Sequence, residues 1–183
     1  MTDNRRLNIV NEEGEIVGVE TREDIHNQGL LHRECHVWFY TPAGEIIFQH
    51  RAKDKDTYPD LLDATVGGHV EIGSDYDSTA IQESLEETGI ETDKSKLTFV
   101  QIVRNKSFDT ATNKTNNVIR AVYAYRYEGK IEDLKIEEGK AIGFESWPLE
   151  RILNASRDDK KRFIPSIFEA KNLEIFDRIK QLI

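Results

Sequence analysis

Three glutamates, Glu83, Glu86 and Glu87, have the spacing at which side chains leave neighbouring positions on one face of a helix. Like charges placed this way destabilise a helix by about 0.2–0.5 kcal/mol per pair. Such a face is tolerated when it is fully solvated or when its carboxylates bind a cation. Mg²⁺ takes carboxylate oxygens, keeps several waters and often shares its coordination with substrate phosphates. The spacing alone leaves two interpretations open, a solvated acidic surface and a Mg²⁺ site.

The segment around these glutamates carries nearly the whole charge imbalance of the chain. The 183 residues include 25 Lys and Arg and 34 Asp and Glu, which gives a formal net charge of −9. Eight of the acids lie in residues 71–93, a window without Lys, Arg or His, and the other 26 acids nearly balance the 25 bases. Carboxylates at this density require either full solvation or a cation.

Composition excludes several classes of protein. A hydrophobic fraction of 38% is too high for a disordered chain despite 32% charged residues, and the length suits one domain over residues 1–183. No uncharged stretch is long enough to span a membrane, and the N-terminus lacks the apolar run of a signal peptide. Cys35 is the only cysteine, which favours a reducing cytoplasm. The acidic balance argues against nucleic acid polymers and anionic membranes as partners.

Turn signals separate short runs of apolar and β-branched residues, which predicts several strands. The predicted strands are Leu7–Val10, Glu15–Val19, Cys35–Thr41, Glu45–Gln49, Leu97–Val103, Val118–Tyr127 and Ile142–Trp147. The first four should form two hairpins. The polar segment Asn105–Asn117 is predicted to be a mobile loop.

Two segments have helical periodicity. One runs from Asp77 to Thr88, is followed by Gly89 as a C-terminal cap, and could be capped at its start by Ser74 or Asp77. Its predicted apolar stripe consists of Ala80, Ile81 and Leu85. A second helix is predicted to begin at Pro165. Several strands with few helices predict a mixed sheet covered by helices.

The residues from Gly68 to Ile90 resemble the Nudix box, written G-x5-E-x7-R-E-U-x-E-E-x-G-U, where U is an aliphatic residue. Aligned from Gly68, the chain matches this pattern at Glu83, Glu86, Glu87, Gly89 and Ile90. A pattern of this length with the acidic triplet in register is far more specific than a glycine-rich loop alone. The resemblance therefore favours the cation site over the solvated surface.

Three positions depart from the box. Ser74 stands in place of Glu, Gln82 in place of Arg, and Ser84 in place of an aliphatic residue. In the family the Glu and Arg are commonly paired, and losing one member of such a buried pair would cost about 3–5 kcal/mol. Both are replaced here, which predicts a coupled replacement in which Ser74 hydrogen-bonds Gln82. Asp75, one residue later, could serve in part for the missing Glu.

Other segments resemble the Nudix branch related to isopentenyl diphosphate isomerase, and the likeness covers about residues 5–170. These segments are Leu7–Glu15, Gly29–Trp38, Gln49–Lys55, Ala64–Val70 and Phe163–Pro165. The isomerases have a catalytic Cys where this chain has Gly67, and they hold a metal with His and acidic residues. His69 and His32 match that pattern and His26 is offset by one residue, but Asn116–Asn117 stands near the acidic position. The isomerase apparatus is incomplete and the hydrolase triplet is present, so a hydrolase is favoured.

The resemblance implies the α/β (α+β) class, with a Nudix-type α/β/α sandwich around a mixed β-sheet and a catalytic loop-helix-loop. It implies a metal-dependent hydrolase that cleaves a pyrophosphate bond in a nucleoside diphosphate linked to another moiety. Glu83, Glu86 and Glu87, with the Gly67 carbonyl, would hold Mg²⁺ or Mn²⁺, which would lower the pKa of a bound water. Glu83 and Glu87 are the catalytic candidates, and Glu83 is the first choice for the general base.

A small-molecule diphosphate needs local positive charge in an acidic protein. Arg51, Lys53 and Lys55 follow a predicted strand and are candidates for phosphate contact, together with His69. Glu138 is a possible additional acid. The alternatives are a surface ion pair for Arg51, solvated loop positions for the two lysines and Glu138, and a structural hydrogen bond for His69.

Two other functions stay open. A non-catalytic, ligand-binding Nudix module is motivated by Ser74 and Gln82, and an isomerase-like enzyme is motivated by the histidines. Neither the group attached to the diphosphate nor the oligomeric state is encoded in these motifs. Paired subunits are frequent in the family, so a homodimer is a further expectation.

Overall fold

Within residues 5–55 and 57–183, which the computed structural model describes, nine strands form one mixed sheet. They are β1 (Arg6–Val10), β2 (Ile16–Thr21), β3 (His32–Tyr40), β4 (Glu45–Arg51), β5 (Leu62–Asp63), β6 (Val66–His69), β7 (Leu97–Asp109), β8 (Lys114–Arg126) and β9 (Ala141–Pro148). Strand β3 is central, because β8 runs parallel to it along one edge while β1, β6 and β4 pair antiparallel along the other. The remaining strands extend the sheet outward, with β2 beside β1, β7 beside β8, and β5 and β9 beside β4.

Helices lie on both faces of this sheet. They are α1 (Arg22–Gln28), α2 (Tyr76–Thr88), α3 (Leu149–Leu153), α4 (Arg157–Lys160) and α5 (Ala170–Lys180), with 3-10 turns at Ile131–Asp133 and Pro165–Phe168. In the described part of the chain, none of these helices has the length and hydropathy required to cross a membrane. Residues 1–4, on which the expectation about a signal peptide partly rests, lie outside the described residues.

The alternation of side chains along β3 builds two cores. On one face, Trp38 packs edge to face against Phe48 and Phe176, with ring centroids 5.7 and 4.9 Å away. On the other face, Val37 belongs to a second cluster that includes Ala80 of α2. Helices therefore cover both faces, and the predicted mixed sheet between helices is confirmed.

The prediction of a mobile loop at Asn105–Asn117 was wrong. Strands β7 and β8 continue through this segment as an antiparallel ribbon, in which Asn105 lies opposite Val118 and Ser107 opposite Asn116. In residues 105–117, which form the outer part of this ribbon, most side chains are at least partly exposed. Polar residues therefore suit both of its strands. The backbone ladder and the Arg104 guanidinium, which donates to the Asn117 side chain at 2.8 Å, hold the ribbon together.

The N-terminal hairpins fit the prediction, whereas the helices differ from it. Both N-terminal hairpins are present, and in the first turn the Asn11 side chain accepts hydrogen bonds from the backbone N–H groups of Glu13 and Glu15. The predicted C-terminal helix is divided into the 3-10 turn that starts at Pro165 and helix α5. Helix α1 was not predicted, although Thr21 caps it through a side-chain hydrogen bond to the N–H of Asp24.

Helix α2 differs from its prediction in its cap and in its buried face. Asp75, rather than Ser74 or Asp77, is the N-cap, and it forms a capping box with Ser78. The buried side is made of small or polar residues such as Ala80, Ser84 and Glu87, whereas Leu85 is 50% exposed. The predicted apolar stripe was therefore wrong for Leu85. Small residues on the inner side let α2 approach the sheet closely, and this brings Glu87 inside.

The capping box supplies a test of this local structure. We expect Asp75→Ala to lower the free energy of unfolding by about 1 kcal/mol, because the first turn of α2 loses its acceptor. Ser74→Ala is the matched control, since in the described part of the chain Ser74 bonds only through its backbone N–H, to the Glu71 carbonyl. Urea unfolding followed by circular dichroism measures both. A larger loss in the Ser74 variant than in the Asp75 variant would contradict the assignment of the cap.

Candidate active site

Glu87 is the most buried carboxylate of the acidic triplet, with 3% of its surface exposed. Its Oε2 accepts hydrogen bonds from the Gln49 side chain at 3.0 Å and from the Gly67 N–H at 3.3 Å. Its Oε1 accepts from the Lys140 ammonium at 2.8 Å. Strands β4 and β6 and the loop before β9 thus each contribute one donor to a single side chain of α2.

Glu83 lies one helical turn before Glu87 and reaches the same strand, β6. Its carboxyl lies over Gly68, where a Cβ atom would collide with it. Its Oε2 is 3.6 Å from the Lys140 ammonium. The absence of a side chain at Gly68 therefore lets the Glu83 carboxyl approach the backbone of the sheet, whereas Glu87 reaches the same strand through the Gly67 N–H.

Burial disfavours the charged forms of these acids, and Lys140 opposes that effect. Burial raises the pKa of Glu83 to about 7, although Lys140 opposes this shift. Burial also raises the pKa of Glu87, again against the effect of Lys140. For Lys140, burial would lower the pKa, but Glu87 and Glu137 beside it raise the pKa overall. Buried carboxylates whose charged forms a cation would stabilise are suited to a divalent ion that prefers oxygen ligands.

Glu86, the third member of the triplet, lies on the exposed side of α2. Its Oε1 accepts a hydrogen bond from the Gln82 side chain at 2.9 Å. The predicted bond between Ser74 and Gln82 was therefore wrong: Gln82 pairs one turn along its own helix. The structure brings together Glu83 and Glu87 but not Glu86.

A polar cleft of about 240 Å³ opens beside Glu87, with Gly67 and Gln49 among its lining residues. Lys55 and Arg51 line it, as predicted for phosphate-binding residues, whereas Lys53 is exposed and outside it. Each nitrogen of the Arg51 side chain already donates within the protein: Nε to the Tyr58 carbonyl, Nη1 to Asp63 and Nη2 to the Thr57 carbonyl, at 3.1, 3.0 and 2.8 Å. Arg51 thus holds the loop that forms the cleft wall.

The acid near this cleft on the loop before β9 is Glu137 rather than Glu138. Glu138 is exposed and the Glu137 carboxylate lies 2.9 Å from the Lys140 ammonium. The turn between Glu137 and Lys140 passes through Gly139, whose backbone has a left-handed conformation with φ of 77°. The sequence pattern located the loop but missed the residue by one position.

A second cavity of about 140 Å³ joins the carboxylates to His69. Glu83 and His69 both line it, and it shares Gly67 and Lys140 with the larger cleft. Along β6, Gly68 lies opposite Cys35 on the α2 side, whereas Gly67 and His69 lie opposite His36 and Glu34. The short strand β6 therefore lies between the carboxylates and a group of histidines.

That group consists of His26, His32 and His69, whose candidate ligand atoms all lie within 4.8 Å of one another. Their Nε2 atoms are buried and have no hydrogen-bond partner among the described residues. Nδ1 of His32 lies 3.0 Å from the Leu30 carbonyl and Nδ1 of His26 lies 3.4 Å from the Thr115 carbonyl. A carbonyl only accepts, so these nitrogens carry the proton and leave Nε2 as a free lone pair.

Burial keeps these imidazoles neutral. It lowers the pKa of His26 to about 4 and also lowers the pKa of His32 and of His69. Three neutral imidazoles with clustered ligand atoms, two of them with Nδ1–H groups held by carbonyls, fit a divalent transition metal. The resemblance to the isomerase-related branch had already pointed to all three histidines as matches to its metal ligands, with His26 offset by one residue.

Several residues that shape the site were not found in the sequence. Glu34 is buried beside Arg120, 3.2 Å away, and accepts from the His36 ring at 2.9 Å. Although burial opposes it, Arg120 and His36 hold the pKa of Glu34 well below its usual range. The sequence signal that could have identified Glu34 is its position midway between His32 and His36, at alternate positions along β3. Asn116 donates to Glu34 at 3.3 Å, so this asparagine supports the network near the histidines.

Comparison with known proteins gives consistent results. A family model described as "NUDIX domain" matches residues 30–167 of this chain. An uncharacterized Nudix hydrolase of Clostridium acetobutylicum is 27% identical over 140 residues, which cover 75% of this chain and 66% of that protein. Across this and two further Nudix hydrolase relatives, the matched segments span 46–66% of the relative's length.

Solved structures share the fold. The DR0079 protein of Deinococcus radiodurans has a TM-score of 0.70 at 22% identity, covering 95% of this chain and 98% of that one. The Nudix domain of Shewanella oneidensis NrtR, determined in complex with ADP ribose, has a TM-score of 0.56 at 13% identity, covering 83% and 86%. At these identities the likeness concerns the fold alone.

The histidine group gives a prediction that can be measured without substrate. In metal-free protein at pH 7, long-range ¹H–¹⁵N spectra should show His26 and His32 as neutral Nδ1–H tautomers. Because burial disfavours the imidazolium, His26 should take up a proton only near pH 4. Added Zn²⁺ should shift the Nε2 signals of His26, His32 and His69 together.

His50 is the internal control for the metal response, since its ring pairs with Asp60 outside the group. Its signals should be unchanged by one equivalent of Zn²⁺. Protonation of His26 near the ordinary histidine value of about 6.5 would contradict the burial argument. Nε2–H tautomers would contradict the free lone pairs.

Proposed function

The chain belongs to the NUDIX domain family, and we propose that it is a metal-dependent hydrolase. The proposed reaction cleaves a pyrophosphate bond in a nucleoside diphosphate linked to another moiety. The observation that carries the proposal is the convergence of Glu83 and Glu87 over the two glycines of β6, beside a cleft with basic residues.

Glu83 and Glu87 would hold Mg²⁺ or Mn²⁺, with the Gly67 carbonyl as a further candidate ligand. When bound, such an ion supplies Lewis-acid polarisation of a phosphoryl oxygen and lowers the pKa of a coordinated water. The donor set fits, since hard carboxylate oxygens are the ligands that these ions prefer. Glu86, the third proposed ligand of the triplet, is exposed, pairs with Gln82 and does not line the cleft, so it would act at most through solvent.

The two carboxylates differ in how free they are to accept a proton. Glu87 is fixed by Gln49, Gly67 and Lys140, so its role is to bind and position. Glu83 has one distant ammonium contact, and its buried Oε2 has no hydrogen-bond partner among the described residues, so this oxygen is free to accept a proton. We therefore assign the proton transfer from the attacking water to Glu83.

The proposed substrate class follows from the cleft. Lys55 and Lys140 line it beside Arg22 and Arg51, and the two lysines would bind phosphate oxygens. The NrtR Nudix domain, similar in fold, binds ADP ribose, a diphosphate linked to a sugar. This supports a small nucleoside diphosphate compound as the partner. A cytoplasmic location is proposed on the single cysteine, Cys35, and a homodimer on the family resemblance alone.

The histidine group favours one second candidate, an enzyme of the isomerase-related branch. Its support is the set of free Nε2 atoms of His26, His32 and His69. Against it, Gly67 stands where that branch has a thiol, and Asn116 supplies an amide near the acidic position. A non-catalytic binding module is the remaining alternative, motivated by Gln82, which stands where the family has an arginine and pairs with Glu86 instead.

Turnover of a panel of nucleoside diphosphate compounds, with Mg²⁺ or Mn²⁺ and with EDTA, tests the main proposal. We expect metal-dependent release of a nucleotide, and we expect Glu83→Gln to lower kcat by about 10²-fold or more because the base is lost. Glu86→Gln is the matched control from the same helix and should retain kcat within about threefold, since the residue is exposed.

The outcomes separate the three functions. No turnover, with ligands that still raise the melting temperature, would favour the binding module. Conversion of isopentenyl diphosphate, without hydrolysis of the panel, would favour the isomerase. Equal losses in the Glu83 and Glu86 variants would contradict the assigned roles.

Gly68 gives a second, steric test of the same geometry. A Cβ atom at this position would meet the carboxyl end of Glu83, a flexible side chain that can move away. We expect Gly68→Ala to keep its melting temperature and to lose about as much kcat as Glu83→Gln. The double variant should lose no more than either single one, because both remove the same group.

Gly143→Ala is the control for this substitution, since a Cβ atom there meets nothing within 4 Å. Its kcat should equal that of the parent protein. A fully active Gly68→Ala protein would show that the position of Glu83 over β6 is irrelevant to turnover.

A further inference from the structure

The Lys140 ammonium lies among three carboxylates. It is 2.8 Å from Glu87, 2.9 Å from Glu137 and 3.6 Å from Glu83. Two of these acids are the proposed metal ligands. The ammonium therefore compensates the charge of the same oxygens that a divalent ion would bind. Both cations could not pair with those oxygens at once without strong repulsion.

The backbone of Lys140 is fixed while its side chain can move. Its N–H donates to the Glu137 carbonyl and its own carbonyl accepts from the Ala52 N–H, both at 3.1 Å. These bonds tie the loop before β9 to the end of β4. The side chain is 34% exposed, and a lysine has a flexible four-carbon stem. Its ammonium can leave the carboxylates without any change in the backbone.

The cleft offers the released ammonium a second position. Lys140 lines both the larger cleft and the cavity beside it, so it stands where the two meet. Arg51, on the cleft wall, already uses each of its side-chain nitrogens within the protein. Lys140 and Lys55 line the cleft beside Arg51 and Arg22, so either lysine can meet a phosphate oxygen of a diphosphate that enters it.

We propose that the Lys140 side chain has two successive positions. In the first it is the internal cation of this site, and in the second it binds phosphate. It pairs with Glu83 and Glu87 until Mg²⁺ takes those carboxylates, and it then turns into the cleft to bind a phosphate oxygen of the substrate. The inference rests on the proposed function and adds a coupling to it. Mg²⁺ binding competes with Lys140, and Mg²⁺ binding also prepares Lys140 for the diphosphate.

The first test is a calorimetric titration of the full chain with Mg²⁺, without substrate. Mg²⁺ selects oxygen donors and so reports the carboxylates rather than the histidine group. Lys140→Gln should lower the Mg²⁺ Kd by about tenfold, because a competing charge next to the ion is removed. Lys140→Arg keeps the charge and should stay near the parent value.

Lys55→Gln is the matched control for this titration. It removes the same charge from the same cleft, but Lys55 makes no ion pair with Glu83 or Glu87. It should change the Mg²⁺ Kd by less than about twofold, in line with screening of a more distant charge. An unchanged Kd in Lys140→Gln, or an equal effect in Lys55→Gln, would overturn the competition.

The second test uses methylenediphosphonate, a diphosphate analogue that cannot be hydrolysed, at saturating Mg²⁺. Lys140→Gln should bind this probe about tenfold more weakly than the parent, as expected for the loss of a charge-assisted hydrogen bond. In EDTA the difference between the two proteins should be much smaller, since Lys140 then stays with the carboxylates. Equal binding of the probe in Mg²⁺ would overturn the phosphate role.

Both tests are independent of turnover. If the parent protein hydrolyses no compound but its Mg²⁺ Kd responds to Lys140→Gln as described, the proposed function fails and the competition stands. If the protein is an active hydrolase and Lys140→Gln leaves both titrations unchanged, this inference alone fails. Mg²⁺ binding only in the Lys140 variant would support the competition but would overturn the second position, since Mg²⁺ would then never release Lys140 in the parent protein.

Discussion

The buried carboxylate of Glu87 is the group on which the rest of the site depends. A charge inside a protein is stable only when it is paired and hydrogen-bonded, and Gln49, Gly67 and Lys140 fulfil this requirement from three different elements. The same contacts fix α2 over β6. Glu83 is then carried to Gly68 by one turn of helix, and the cleft beside them takes its shape from the strands that supplied the donors.

The fold could be predicted where short-range pattern decides it. Turn residues such as Asn11 gave the first hairpin, and the alternation along β3 placed Trp38 and Val37 on opposite faces. The ribbon at 105–117 could not be predicted in this way. Its strands pair with each other and face solvent, so their side chains carry no apolar alternation that would distinguish them from a loop.

The residues of the site can be divided in the same way, into those that a short-range pattern predicts and those that it does not. A local motif located Glu83 and Glu87, because helical spacing and the preceding glycines are both written in one segment. Gln49 lies 38 residues before Glu87 and Lys140 lies 53 residues after it, so no local pattern could connect them. The partner of Gln82 was missed for a different reason: a neighbouring glutamate on the same helix satisfied it in place of Ser74.

Strand β6 has only four residues, yet oxygen donors lie on one side of it and imidazole nitrogens on the other. These two donor sets rank metals differently. Carboxylates favour hard ions such as Mg²⁺ and Mn²⁺, whereas imidazoles follow the series that rises from Mn²⁺ through Ni²⁺ to Cu²⁺. Nickel-affinity chromatography would load the nitrogen set and leave the oxygen set untouched. The metal content found by elemental analysis of this protein would therefore depend on how the protein was purified as well as on its buffer.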